Sequence, residues 1–144
     1  AYNNRGNVYV KLGQYIDALY DYDKVVELDP VNITALYNRA LIKDNFGEHR
    51  DAIVDLGRTI SLNDQFADAY VARGNAKINI NDFKGAILDF NKAISINPKL
   101  SEAFFGRANA AFKMDDRNAS CADWQMAISL GYKQASDEEK KYCH

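Results

Sequence analysis

Between Asp68 and Pro98, apolar and small residues fall at Ala69, Tyr70, Ala76 and Ile80, then at Phe83, Ala86, Ile87, Phe90, Ala93 and Ile94. Steps of three, four and seven within each set place it on one face of a helix. Asn81 and Asp82 interrupt the pattern, with Asp82 positioned to N-cap the second run, and Asn97 with Pro98 ends it. The stretch predicts two helices, about 67–80 and 83–96, folded back on each other as a hairpin. Equivalent patterns predict helices at about 1–13 and 16–29, 33–46 and 49–62, and 101–114 and 117–130. A ninth, 133–142, is polar along most of its length, with Ala135 and Tyr142 as its inward contacts.

Shifting this hairpin along the chain in either direction, always by the spacing that separates Ala52 from Ala86, finds it again. Ala86 recurs as Ala18, Ala52 and Ser120; Phe90 as Tyr22, Leu56 and Trp124; Ala93 as Val25, Thr59 and Ala127; and Gly74 as Gly6, Ala40 and Ala108. Small residues let helices approach and the large ones fill the space between them, a pattern suited to stacked helices. A helix-turn-helix period of about 34 residues resembles the tetratricopeptide repeat family, over the chain to about Gly131. Copy one carries Gly6, Tyr9, Gly13, Tyr15, Ala18, Tyr22 and Pro30, and copy three Gly74, Phe83, Ala86, Phe90, Ala93 and Pro98. Copy two has Asp64 at the proline position; copy four has Ser120 and Tyr132 in place of Ala and Pro. The family's early Trp is replaced by Tyr2, Leu36, Tyr70 and Phe104. The resemblance implies an all-α, right-handed α-solenoid of four units (about 1–32, 33–66, 67–100 and 101–132) closed by a polar capping helix within 133–144, all one domain spanning 1–144.

Composition narrows the function. At 144 residues the chain suffices for a single core burying roughly two-thirds of its unfolded surface. A net charge of −2 gives no footprint for nucleic acid. No apolar run approaches the roughly 20 residues that span a bilayer, and no signal peptide opens the chain. Residue Ala1 falls inside the first helix of copy one, so the chain reads as an excised piece whose first repeat is uncapped.

Two charges repeat with the hairpin. Arg5, Arg39, Arg73 and Arg107 share one position, and Asp21, Asp55, Asp89 and Asp123 another. Each Arg lies about as far before its turn as the Asp lies after it, so the two stand level on antiparallel helices. They read as charge-assisted pairs fixing each hairpin; the alternative is an arginine ladder that reads acidic ligands.

Cys121 and Cys143 are the two cysteines, too few for a redox CxxC or a four-ligand zinc site. The turn at Gly131 and Tyr132 lies midway between them in sequence, so pairing the last repeat helix with the cap brings them level. A disulfide there would staple the cap. In the other reading they are unconnected, with Cys121 buried where Leu19, Ile53 and Ile87 sit in the other copies. The run CADWQMAISLGY with a terminal Tyr-Cys also resembles the end of tetratricopeptide proteins exported by some bacteria. A bonded pair would imply an exported or periplasmic chain, and free thiols a cytoplasmic one.

Nothing suggests an enzyme or a cofactor. A nucleophile needs a base and a group to orient it, yet the histidines are His49, in a repeat turn, and His144, at the end. No glycine-rich phosphate loop appears.

The resemblance implies a binding module whose first helices line a concave groove for an extended peptide or protein segment. Carried over copy by copy, the groove positions are Asn3, Tyr37, Val71 and Phe105; Asn7, Leu41, Asn75 and Asn109; and Val10, Asp44, Ile78 and Phe112, with Lys11, Asn45, Asn79 and Lys113 at the edge. Amides donate and accept, so such a surface can hold a peptide backbone, while Tyr37, Phe105 and Phe112 would anchor side chains. Asn is also common on solvated helix faces, and Phe112 also fits a core position. The carboxylate clamp of some family members keeps its two asparagines here, Asn7 and Asn38, but lacks its cations, with Asn3, Asp68 and Ala72 in their places. The alternative function is a structural segment that stacks on further repeats, or end to end on another copy, through its uncapped first repeat.

Overall fold

The computed structural model describes residues 1–144, which form nine α-helices and no strand. In order they are α1 (Tyr2–Lys11), α2 (Tyr15–Leu28), α3 (Ile33–Asn45), α4 (His49–Leu62), α5 (Ala67–Asn79), α6 (Phe83–Ile96), α7 (Ser101–Lys113), α8 (Arg117–Ser129) and α9 (Ala135–Tyr142). Expected and observed boundaries agree closely throughout. The fold class is an all-α repeat solenoid. Its contacts gather into two compact units, Ala1–Asp64 and Gln65–His144, each holding two hairpins.

Local chemistry sets the helix starts. Asn32, Asp82 and Asp116 each accept a bond from the backbone N–H three residues on, at Ala35, Gly85 and Ala119, satisfying a donor that a helix leaves unpaired. The hairpin turn carries its own repeat. Gly13, Gly47, Asn81 and Asp115, each one period from the next, all adopt positive φ, between 60° and 84°. Glycine has no Cβ to clash there, and Asn and Asp are the side chains that best tolerate that region.

In the first unit, Tyr22 is fully buried on α2 among Ala18, Val25, Val26, Leu36 and Ile42. A Cβ on Gly6 would meet the Tyr22 ring at 3.0 Å, so the missing side chain is what lets α1 lie against α2. In the second unit Phe90 plays that part twice, filling the space left by Gly74 on α5 and by Gly106 on α7. Trp124 anchors the last hairpin beside Phe104, Ala108 and Ala127.

The cap, α9, seats Ala135 in this cluster, fully buried. Its Tyr142 ring lies 4.4 Å from Phe112 and 6.0 Å from Trp124. Beside it, Cys121 and Cys143 are joined in a disulfide with Cα atoms 5.7 Å apart.

Candidate functional site

Each repeat carries the same two-pronged ion pair. Nε and Nη2 of Arg5, Arg39, Arg73 and Arg107 donate to the two carboxylate oxygens of Asp21, Asp55, Asp89 and Asp123, at 2.6–2.9 Å. The aspartates are buried and the arginines reach outward from them. The bonds from Arg5 hold the Asp21 carboxyl below its ordinary range, although burial pushes the other way. Of the two readings of the repeated arginines, this geometry is the structural one. The third nitrogen, Nη1, has a different use: in Arg39 it donates to Asp23 on the preceding helix, and in Arg107 to Asn91.

Two of the amides expected on the groove are engaged within the protein. Asn7 Oδ1 accepts the Tyr22 hydroxyl at 2.5 Å and Asn38 Nδ2 at 3.1 Å. At the equivalent place in the last repeat, Asn109 Oδ1 accepts Trp124 Nε1 at 3.1 Å. The rule is chemical: where the large buried residue has a polar tip, the facing position on the first helix is Asn. Where it is Leu56 the facing residue is Leu41, and where it is Phe90 the facing residue, Asn75, is exposed and has no such bond to make. Burial also pushes the Tyr22 hydroxyl up from its ordinary value, further favouring its protonated, donating form.

The other expected positions divide by surroundings. Asn45 is exposed, and Asn3, Val10, Tyr37, Leu41 and Ile78 are half-buried. The Asn3 Oδ1 atom is buried without a partner. Val71 is only 5% exposed, which leaves almost nothing for a ligand to touch. Phe105 packs against Tyr132 at 4.7 Å, and Phe112 against Trp124 at 5.5 Å as well as Tyr142. These two rings, expected as ligand anchors, hold the C-terminal turn and cap in place. Asp44 pairs with His49. Lys11, Asn79 and Lys113 lie exposed at the helix ends.

The first unit brings Asn7, Val10, Lys11, Leu41 and Asn45 together around a cleft of about 550 Å³ between α1 and α3, floored by Tyr22 and Ile42. Tyr15 and Asn38 complete its wall. Tyr15 lies on a second helix, outside the first-helix positions that the family resemblance places on the groove. In the second unit a hollow of about 580 Å³ opens between α6, α7 and α8 around Ile87, Asn91 and Met114. No three His, Cys, Asp or Glu side chains gather to hold a metal, and no helix is long and apolar enough to cross a membrane.

Comparison with known proteins agrees with the repeat. Family models described as tetratricopeptide repeat match residues 1–32 and 67–100. Sperm-associated antigen 1 of Mus musculus is 50% identical over 40 residues, 28% of this chain, and that match spans about 4% of the relative's length. The crystal structure of MamA, 22% identical, superposes with a TM-score of 0.82 over 96% of this chain and 92% of that one. The first tetratricopeptide domain of Spaghetti, bound to the HSP90 peptide SRMEEVD, is 25% identical with a TM-score of 0.76, covering 79% of this chain and 90% of that chain. A tetratricopeptide repeat protein from Parabacteroides merdae is 26% identical with a TM-score of 0.81, covering 89% of this chain and 50% of that one. With helix-turn-helix units recurring at one fixed period, and two of them matched by the family's own models, this chain carries tetratricopeptide repeats.

Proposed function

We propose that this domain is a non-catalytic protein-interaction module that takes an extended segment of a partner along its first helices. The observation that carries the reading is the cleft of the first unit. Its Asn7–Tyr22–Asn38 cluster is already fixed by internal hydrogen bonds, so the remaining amide donors are held in place before a ligand arrives. Around it stand Leu41 and Val10 as apolar contacts, and Asn45 and Lys11 as polar ones at the rim. Such a surface suits a peptide backbone with an aliphatic side chain. In the second unit Asn75 and Ile78 are the residues best placed for the same task, since Asn109, Phe105 and Phe112 serve the fold. The peptide held by the Spaghetti domain supports this mode of use. A doubly charged carboxylate end is a poor fit here, because Asn3 stands where a clamp would need a cation.

The disulfide fits a chain that works in an oxidising compartment, as an exported or periplasmic protein does.

Panning a library of unstructured displayed peptides against the whole chain tests the cleft. Enriched peptides should lose at least tenfold in affinity on Leu41→Asp combined with Asn45→Ala, at unchanged melting temperature. Peptides that bind the double variant equally well, or a library that yields none, would remove the cleft as the working site.

A further inference from the structure

One position on the first helix of each repeat holds Tyr9, Lys43, Lys77 and Ala111 in turn. The two lysines serve the buried aspartates. Lys43 Nζ lies 3.3 Å from Asp55 Oδ2 and Lys77 Nζ 2.8 Å from Asp89 Oδ2, so each of these carboxylates meets a lysine as well as its arginine. Both lysine side chains are only 18% exposed, so their methylene stems are largely covered. In the last repeat the position is Ala111, and Asp123 is left with Arg107 as its one cation. The Asp123 side chain is correspondingly more open, 12% exposed against 4% and 5% for Asp55 and Asp89. The hollow of about 580 Å³ in the second unit opens at this place, with Ala111 and Asp123 in its wall. Ile87 of α6 and Met114 beyond the end of α7 give it apolar sides, and the exposed Asp116 adds a second carboxylate. Two carboxylates against the single guanidinium of Arg107 leave it one charge negative.

We propose that this hollow takes the side chain of a lysine presented by a partner protein, its ammonium at Asp123 Oδ2 and its methylene stem against Ile87 and Met114. A lysine supplies together the cation and the volume that Lys43 and Lys77 supply from within the chain at Asp55 and Asp89. An arginine suits the place less well, because both oxygens of Asp123 already hold the fork of Arg107, and what Oδ2 can add is a single donor on a slender stem. The rim favours a polypeptide over a free amine: Asn91 is exposed there, commits its Oδ1 to Arg107 and keeps its amide hydrogens for a carbonyl of the segment that carries the lysine. None of the groove positions lines this hollow, so it is a site independent of the cleft.

The probe is a short alanine peptide with one central lysine, blocked at both ends, titrated into the whole chain while the methyl NMR signals of its two methionines are followed. The Met114 signal should shift to saturation and that of Met126, which does not line the hollow, should stay. The same peptide acetylated on the lysine Nζ should bind at least tenfold more weakly, a comparison that leaves the domain unaltered. The unmodified peptide should lose as much on Ala111→Lys, in which the chain fills its own hollow, at a melting temperature no lower than before. n-Butylammonium, the lysine side chain without a backbone, should bind several-fold more weakly than the peptide. A Met114 signal that never saturates, equal binding of the acetylated peptide, or undiminished binding to Ala111→Lys would each overturn the proposal. So would n-butylammonium binding as tightly as the peptide, because it would give the hollow to a free amine.

Discussion

At the scale of single residues, asparagines at one repeat position do two kinds of work. Asn7 satisfies a buried tyrosine and Asn109 a buried tryptophan, whereas Asn75 faces Phe90 and makes no bond to it. Truncating Asn7 removes the acceptor of the Tyr22 hydroxyl and leaves Asn38 as its one partner, which costs about 1–3 kcal/mol. Chemical denaturation should show a loss of that size for Asn7→Ala and almost none for Asn75→Ala. The ion pairs make a second prediction. Asp89 is buried and accepts from Arg73 and, at 2.8 Å, from Lys77. Asp89→Asn leaves two cations without their counter-charge and should cost about 3 kcal/mol. The Arg5–Asp21 pair also sets a direction with acid. Asp21, whose ordinary value is near 3.8, is held lower by Arg5, so its stabilisation is present above that value and is lost as pH falls through the depressed one. Solvent at the exposed Arg5 screens the effect. Melting temperature should therefore hold from neutrality to about pH 4 and fall below it, with Asp21→Asn showing a shallower fall.

At the scale of helices and turns, the sequence was most legible where chemistry repeats. Four hairpins and the Arg–Asp register follow from a shift by one period. A groove position was harder to read, because a first-helix side chain can face a ligand or the second helix behind it. Tyr22 and Trp124 decide that for Asn7 and Asn109, and Phe112 and Phe105 are taken by Tyr142 of the cap and by Tyr132, which stands where the repeat pattern has proline. Val71 shows the same limit: its copies at Asn3, Tyr37 and Phe105 keep more surface, so its burial belongs to its own neighbours. The turns show the opposite case, where Gly13, Gly47, Asn81 and Asp115 look unlike one another yet share one backbone conformation. A Cβ at Gly13 would touch nothing within 4 Å, so Gly13→Ala isolates the backbone cost. A loss of about 1 kcal/mol in thermal or chemical denaturation is expected.

At the scale of the whole molecule, the last hairpin is closed by α9, whose Ala135 and Tyr142 pack with Trp124 and Phe112. Reducing the Cys121–Cys143 bond reopens a loop that spans a sequence separation of 22, and the chain-entropy model puts its stabilisation at about 3 kcal/mol. Adding a dithiol should lower the melting temperature and speed hydrogen exchange in α9 before the repeat helices. The same bond decides how the molecule would carry a load. A pull on His144 enters the fold at Cys143 and passes through sulfur to Cys121 on α8, so the chain between the two cysteines feels no tension. Stretched by its two ends, the oxidised chain should reach a contour length shorter by on the order of 70 Å than the reduced one, with α9 still folded while α8 begins to unwind.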